Sequence, residues 1–371
     1  MSVFEFTDNS RSFSVRKFKN NNALRLTSER VSLILDGRKN IGSIDAVLAI
    51  AASESMEELR VKTVYWLQGG GCGGDTFSFL SSECPDIIGL FRTLDIQLLW
   101  HPSLSHISAD SHNHLLENIL SGKQPLDILL VEGSVICGPA GTGMFHTVDG
   151  HPKKEQVYNL ASQAQVVIAV GTCASFGGFG ADDAIEATGL QFVKKQRGGF
   201  LGKDFTSKSG QPVINLAGCP CHHDVISGAL MSAAGGVVLE LDKYQRPLEW
   251  YATTVHQGCT RNEYHEYRVE ESDFGEMGCL FFHMGCAGPL VPGPCNKSLW
   301  NQQSSKTRAG VPCFGCTDPE FPRATPFFQT PNIEGIPLSL PMGVNRAHYM
   351  VYKGMAAAAA PEHLKNRKSK V

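Results

Sequence analysis

The sequence lacks the features of several large protein classes. The apolar stretch 44–52 is far too short to span a bilayer, and no other run is long enough either. A secretory signal is missing too: Arg16 and Lys17 lack the apolar segment that should follow them. With 33 Lys and Arg against 36 Asp and Glu, the net charge is −3, which gives no indication of nucleic-acid binding. We expect a cytoplasmic protein without a transmembrane segment.

The chain also lacks the character of a disulfide scaffold. Its 12 cysteines are spread over 371 residues, whereas disulfide scaffolds are shorter and richer in cysteine. Two residues separate Cys313 from Cys316, and the same interval separates His256 from Cys259. These spacings are typical of metal ligands, so we predict that the cysteines bind metal.

Composition divides the chain into four segments. Residues 1–58 form an N-terminal extension, interpreted as an arm that packs on a partner subunit or caps the next domain. Residues 59–230 alternate β-branched runs with amphipathic stretches, which predicts an α/β, flavodoxin-like doubly wound parallel sheet. Residues 231–328 are rich in Cys, Gly and Pro without periodicity, which predicts a smaller irregular domain that metal helps to fold. Residues 329–371 form a C-terminal extension, expected to be surface-bound or disordered.

The predicted elements of the sheet domain are short. The strand candidates are 61–68, 96–100, 126–132, 166–171 and 213–217, and the helix candidates include 111–120 and 154–162. The strand runs are nearly continuously apolar, as expected for parallel strands buried on both faces.

Three predicted strands run directly into a turn that contains cysteine. These cysteines are Cys72, Cys173 and Cys219. Ligands gather outside the carboxyl ends of strands in an open parallel sheet, so the three thiols are predicted to converge on one site. Taken alone, each of these cysteines is explained equally well by a buried structural role.

The first of these turns has a competing interpretation. Residues 69–74 satisfy the G-x-G-x-x-G fingerprint of dinucleotide binding after a strand. That fingerprint also requires an acidic residue near the end of the second strand, where this chain has Trp100 and His101.

A second group of ligands is concentrated between residues 256 and 316. It comprises His256, Cys259, Cys279, Cys286, Cys295, Cys313 and Cys316. These are too many ligands for one site and about right for two. Thiolates select zinc or iron–sulfur clusters, and zinc remains the alternative on local spacing alone. A shared electron-transfer role would explain both groups.

The ordered series of motifs resembles the [NiFe]-hydrogenase small subunit over residues 60–325. The series reads WLQGGGC, VEG, GTCAS, GCP, HxxC, GCAGP, CNKSLWN and PCFGCTDPEF. The resemblance implies an electron-transfer subunit of a hydrogenase. Hydrogen is oxidised at a nickel–iron centre in a large-subunit partner, and three clusters pass electrons to an unidentified acceptor. It further implies a dimer of heterodimers or a higher assembly.

The resemblance also implies a ligand set for each cluster. The proximal cluster would take Cys72, Cys173, Cys219 and the residue at position 75. The distal [4Fe–4S] cluster would take His256, Cys259, Cys279 and Cys286. The interval between Cys279 and Cys286 is one residue longer than usual in the family. The medial [3Fe–4S] cluster would take Cys295, Cys313 and Cys316, with Ser304 and Ser305 between them instead of a fourth cysteine.

Asp75 stands where the family pattern has a fourth proximal cysteine. It is expected either to ligate a [4Fe–4S] cluster or to bind weakly and leave a [3Fe–4S] cluster; the alternative is a helix cap for residues 76–80. The loop resembles the high-affinity, actinobacterial-type branch. The oxygen-tolerant branch has two extra proximal cysteines, where this chain has Gly74 and Gly178.

A few residues keep open roles. Glu132 resembles a family glutamate near the subunit interface that assists proton movement, although an acid at a strand end is more often solvated or hydrogen-bonded. Cys84, Cys137 and Cys221 are interpreted as structural, with a spare proximal ligand as the alternative for Cys137 or Cys221. His222 and His223 are interpreted as groups that tune the proximal cluster. Two rival functions remain: a quinone- or coenzyme-linked oxidoreductase subunit, which would lack the Cys-rich domain, and a hydrogen sensor with the same architecture.

Overall fold

The structure is a computed structural model. It describes residues 61–181, 183–322, 336–341 and 343–365, plus the backbone of 2–6, 13–17 and 332–333. The predicted arm over residues 1–58 lies outside the described residues, except for an antiparallel pair of strands, Ser2–Phe6 with Phe13–Lys17.

Five parallel strands form the central sheet. They are β1 (Lys62–Gln68), β2 (Ile96–Trp100), β3 (Ile128–Glu132), β4 (Val166–Val170) and β5 (Ile214–Leu216). Their order is β2-β1-β3-β4-β5, with Gln68 opposite Glu132 where β1 and β3 end. This is the flavodoxin-like order, so the predicted fold class is confirmed.

Helices cover both faces of the sheet. They are α1 (Gly74–Leu80), α2 (Ile87–Thr93), α3 (Ala109–Leu120), α4 (Lys153–Gln163), α5 (Gly171–Phe176) and α6 (His223–Ala234). Along β1, Val64 and Trp66 face one hydrophobic core with α1, α2 and α6, whereas Tyr65 and Leu67 face the other with α3 and α4. Helix α3 begins before the predicted residue 111 because the Ser108 side chain accepts the Ser111 N–H.

Regular structure is sparse after α6, as the composition predicts. Between α6 and residue 322 it comprises α7 (Leu248–Tyr251), α8 (Asn262–Glu266), α9 (Phe281–Met284) and a 3₁₀ turn, Val255–Gly258. Another 3₁₀ turn, Gly178–Gly180, lies in the sheet domain. Short antiparallel pairs complete the chain: Val135–Ile136 with Ala187–Thr188, Thr147–Val148 with His151–Pro152, Phe192–Val193 with Gln196–Arg197, and Asn332–Ile333 with Ile336–Pro337.

The C-terminal extension packs on the Cys-rich region. Its helices are α10 (Arg346–Ala359) and α11 (Glu362–Lys365). Tyr349 and Leu364 are buried in one hydrophobic cluster with Phe282.

Candidate metal centres

The glycine-rich loop after β1 places Cys72 at the edge of the sheet. Gly69 N–H donates to the Glu132 carbonyl at 2.6 Å, and Gly70 and Ser134 exchange backbone hydrogen bonds. A Cβ on Gly69 would lie 2.6 Å from the Ser134 carbonyl oxygen, so this close approach requires glycine. The loop therefore lies where the connections from β1 and β3 diverge, the position at which such sheets bind ligands.

Glu132 caps the helix that follows this loop. Its Oε1 accepts the N–H groups of Asp75 and Thr76, each at 3.0 Å, and its Oε2 accepts the Trp66 Nε1–H at 3.0 Å and the Thr76 hydroxyl. The side chain is buried. Because Glu132 already occupies the helix N-terminus where a pyrophosphate would bind, the dinucleotide interpretation is wrong.

Asp75 does not cap this helix. The N-cap is Gly73, which makes no side-chain cap bond, and the helix begins at Gly74. Asp75 Oδ1 instead accepts the Cys221 N–H at 2.6 Å, and a Cβ on Gly171 would lie 2.0 Å from Oδ2. The capping alternative is therefore wrong, and the carboxylate reaches the loops that follow β4 and β5.

The four predicted proximal ligands lie close enough to interact electrostatically. The pKa of Cys173 is raised to about 11, mainly by burial, with smaller contributions from the neighbouring Asp75 and Cys72. Burial likewise raises the pKa of Cys219 to about 12, with added contributions from Cys316, Cys173, Asp75 and Cys72. For Asp75, burial raises the pKa to about 7, the Cys221 N–H opposes the rise, and Glu132 adds to it.

Two glycines lie against the proximal thiols. A Cβ on Gly178 would lie 2.6 Å from the Cys173 Sγ, and one on Gly74 would lie 3.1 Å from the Cys72 Sγ. Any side chain at either position would therefore contact a predicted ligand.

The four predicted distal ligands line one cavity. The lining includes His256, Cys259, Cys279 and Cys286. The long interval before Cys286 is accommodated because α9 ends at Gly285 in the left-handed conformation (φ 65°). Arg261 also lines the cavity, and its backbone N–H donates to the Cys259 Sγ at 3.4 Å.

The three predicted medial ligands line a second cavity. The lining includes Cys295, Cys313 and Cys316, together with Lys306 and Ser305. The Ser305 hydroxyl donates to the Asn296 Oδ1 at 2.5 Å, which engages it away from a metal.

Short hydrogen-bond links connect the three groups of thiols. The Thr172 hydroxyl, next to Cys173 in sequence, donates to the Cys316 carbonyl. The Cys313 N–H donates to the Cys286 Sγ at 3.2 Å. Proximal, medial and distal groups are therefore joined in that order.

The thiols have the chemistry that iron–sulfur clusters require. All twelve cysteines are free. Burial raises the pKa of Cys279 and Cys295 to about 12, so crowded thiols stay protonated until a metal stabilises the thiolates. Arg261 and Lys306 each bring one positive charge to a cavity lined by cysteines, which compensates the negative charge of thiolate-bound clusters.

Several contacts at these sites were not predicted from the sequence. The ring of His265 lies 3.4 Å from the Cys279 Sγ through Nδ1, and Thr172 bridges two sites. The Arg261 guanidinium donates to the carbonyls of Thr307, Glu276 and Gly278. Arg261 and Thr172 had a local signal, because Arg261 follows Cys259 by two residues and Thr172 directly precedes Cys173.

The residues with open roles lie in different surroundings. Cys221 is fully buried and donates its N–H to Asp75, whereas Cys137 lies near Val135 and Thr188 with no predicted ligand beside it. Cys84 is exposed. The rings of His222 and His223 pack on Trp300 at 4.5 and 5.5 Å between centroids, which joins the loop after β5 to the Cys-rich region.

Two family profiles match separate parts of the chain. A profile of the C-terminal region of the NiFe/NiFeSe hydrogenase small subunit matches residues 251–329, and the NADH ubiquinone oxidoreductase, 20 Kd subunit profile matches residues 72–233. The first match covers the Cys-rich region that the rival quinone- or coenzyme-linked protein would lack.

Individual relatives agree with the profiles. The F420 non-reducing hydrogenase I small subunit of Methanosarcina mazei is 32% identical over 346 residues, covering 84% of this chain and 86% of the relative. The actinobacterial-type NiFe-hydrogenase from Ralstonia eutropha H16 superposes with a TM-score of 0.68 at 23% identity, covering 85% and 92%. The [NiFeSe] hydrogenase of Desulfovibrio vulgaris Hildenborough gives 0.62 at 27% identity, covering 74% and 100%.

A flavodoxin-like sheet with three connected groups of free thiols defines an iron–sulfur electron-transfer protein. The chain belongs to the [NiFe]-hydrogenase small-subunit family. It is the electron-transfer subunit of a hydrogenase. Small subunits of this family carry iron–sulfur clusters and pair with a large subunit. Within the described part of the chain, no helix is long and apolar enough to cross a membrane.

Proposed function

We propose that this subunit passes electrons from hydrogen oxidation through a proximal, a medial and a distal cluster, in that order, to an acceptor. The observation that carries the proposal is the pair of hydrogen-bond links, from Thr172 to Cys316 and from Cys313 to Cys286. Each link joins a predicted ligand, or its neighbour, of one site directly to a predicted ligand of the next. Short bonded routes of this kind suit electron transfer between buried clusters.

The cluster types follow from the donors at each site. A [4Fe–4S] cluster at the distal site is supported by one imidazole and three thiols around one cavity. A [3Fe–4S] cluster at the medial site is supported by three thiols without a fourth donor, since Ser305 bonds to Asn296. The division into domains at about residue 230 remains our proposal, and the profile bounds at 233 and 251 support it.

At the proximal site, we propose that Asp75 is the fourth ligand of a [4Fe–4S] cluster. Its burial and its closeness to Cys173 and Cys219 support this role. A carboxylate is a harder ligand than a thiolate, and a weakly bound aspartate would leave a [3Fe–4S] cluster instead. The aspartate in this loop is the basis for placing the chain in the actinobacterial-type branch.

The large subunit is proposed to cover the proximal end of the sheet. Phe77 of α1 and Phe179 after α5 are each 71% exposed, and Met144 and Phe145 are exposed as well. Exposed apolar groups beside a cofactor site are typical of a protein interface. A dimer of heterodimers, a cytoplasmic location and a separate electron acceptor complete the proposal; the free state of all twelve thiols supports a reducing compartment.

Iron and sulfide quantitation with Mössbauer and EPR spectroscopy on the purified heterodimer tests the proposal. We expect three clusters with roughly eleven cluster iron atoms, or about ten if the proximal cluster holds three, in addition to the one iron of the nickel–iron centre in the large subunit. Zinc without acid-labile sulfide would refute it. In an Asp75→Cys variant, an unchanged proximal spectrum would show that Asp75 is not a ligand.

A further inference from the structure

We infer that His265 raises the reduction potential of the distal site by donating a hydrogen bond from Nδ1–H to the thiolate sulfur of Cys279. This inference rests on the proposed function, because it requires a cluster at that site. His265 acts through Cys279 and is therefore a positioning residue rather than a ligand.

The contact is direct. His265 Nδ1 lies 3.4 Å from the Cys279 Sγ. A thiolate bound to iron has only lone pairs to offer, so the ring nitrogen is the donor. His256 lines the distal cavity together with the three cysteines, whereas His265 is not among the residues that line it.

Neighbouring rings hold His265 in this orientation. Its ring stacks on Phe282 with centroids 5.7 Å apart and planes 8° from parallel, and the edge of Phe281 contacts it at 5.5 Å. The ring of His256 meets it at 4.8 Å in a T-shaped contact. Helix α8 supplies His265, while Cys279 precedes α9. The donor is therefore fixed before the cluster binds.

The direction of the effect follows from charge. Reduction adds one electron to the cluster, and part of that charge resides on the sulfurs of the ligands. A fixed N–H dipole that points at one of these sulfurs stabilises the reduced state more than the oxidised state. Removing the donor should therefore favour the oxidised state of the distal cluster and lower its reduction potential.

Redox titration of the intact heterodimer, followed by EPR, tests this inference. His265→Phe keeps a ring on Phe282 but removes the donor, and His265→Leu is a second variant without a donor. We expect the reduction equilibrium of the distal cluster to shift about tenfold toward oxidation, which is about 59 mV for one electron. His265→Asn places an amide N–H near the position of Nδ1 and should restore most of the potential.

His283→Phe is the control, because His283 also lies in the Cys-rich region but bonds to the Glu270 carboxylate at 3.0 Å rather than to a thiol. It should leave the distal potential unchanged. An unchanged potential in both variants without a donor overturns the inference, and so does an equal shift in His265→Asn, which would indicate packing. Loss of one cluster's iron in these variants would instead identify His265 as a ligand. If the wild-type heterodimer contains no distal cluster, the proposed function itself fails.

Discussion

The Asp75 carboxylate accepts a hydrogen bond from the backbone N–H of Cys221 at 2.6 Å, although 146 positions separate the two residues in the sequence. The bond ties the loop after β1 to the loop after β5. It also directs Oδ2 toward Gly171, at the start of α5. The Asp75 carboxylate thus contacts the segments that follow β4 and β5 while it belongs to the segment that follows β1. The geometry of the proximal site therefore depends on the distances between these three segments.

Gly171→Ala should disrupt the proximal site selectively. The new Cβ would lie 2.0 Å from the Asp75 Oδ2, and Gly171 has a φ of 85°, which adds about 1–2 kcal/mol of backbone strain for any other residue. We expect the variant to lose proximal iron while the medial and distal clusters remain. Iron quantitation and EPR on the heterodimer measure this.

Gly202→Ala is the control for that prediction. Gly202 has a φ of 86°, and a Cβ there would meet nothing within 4 Å. Its backbone strain is therefore similar, but it contacts no ligand. Equal iron loss in the two variants would show that strain, rather than displacement of Asp75, causes the effect.

Glu132→Gln should destabilise the protein more than a role in proton movement alone would. The carboxylate accepts four hydrogen bonds, and an amide NH₂ faces either Trp66 Nε1–H or the two backbone N–H groups at the start of α1. At least one buried donor loses its acceptor, at a cost of about 1–3 kcal/mol. Thermal unfolding measures the loss.

Glu155→Gln provides the comparison, because Glu155 lies in the first turn of α4 but is exposed. It should change stability by less than about 0.5 kcal/mol. If Glu132→Gln instead retains full stability and proximal iron but slows hydrogen turnover, the glutamate serves proton movement, as the family resemblance suggested.

Local patterns in the sequence were sufficient to predict the sheet and the grouping of the thiols. The strands that precede Cys72, Cys173 and Cys219 are apolar runs that are mostly buried, whereas in the edge strand β2 only Ile96 is buried. The helix-capping role of Glu132 was not predictable, because it depends on a loop 56 residues away in sequence. His265 and Cys279 likewise meet only after α8 and α9 have packed, and no fixed spacing signals that contact.

Thr172→Val should weaken the link between the proximal and medial sites. The Thr172 hydroxyl donates to the Cys316 carbonyl and accepts the Gly218 N–H at 3.0 Å. Valine keeps the shape but leaves both groups without this partner, which costs about 2 kcal/mol or more. We expect lower stability and a weaker magnetic interaction between the two clusters by EPR, whereas Thr172→Ser should retain both.

The same helix offers a control for the loss of a buried hydroxyl. Ser175 is also fully buried, but its hydroxyl donates to the Gly171 carbonyl within α5 at 2.8 Å. Ser175→Ala should therefore leave the magnetic interaction unchanged. A change of equal size in both variants would assign the effect to general loosening of α5.

Glu270→Gln should loosen the C-terminal helix from the Cys-rich region. Glu270 Oε2 accepts hydrogen bonds from the Tyr349 hydroxyl at 2.6 Å, from His283 at 3.0 Å and from Lys353 at 3.0 Å. Burial alone would raise the pKa of Glu270, but these three donors outweigh it and lower the pKa below its usual 4.5. Since the folded-state pKa is depressed, the stabilisation is present above pH 4.5 and is lost as the pH falls through the lower value.

Hydrogen exchange of residues 346–365 at pH 7 measures this docking. Because Glu270 is a buried charge with three donors, the variant should lower the free energy of helix opening by about 3 kcal/mol. Glu263→Gln is the matched control: Glu263 pairs with His363 of the same extension, but both side chains are about half exposed, so its loss should change exchange by less than about 1 kcal/mol. Equal protection in wild type and Glu270→Gln would mean that the apolar contacts of Tyr349 and Leu364 are sufficient to hold the helix in place.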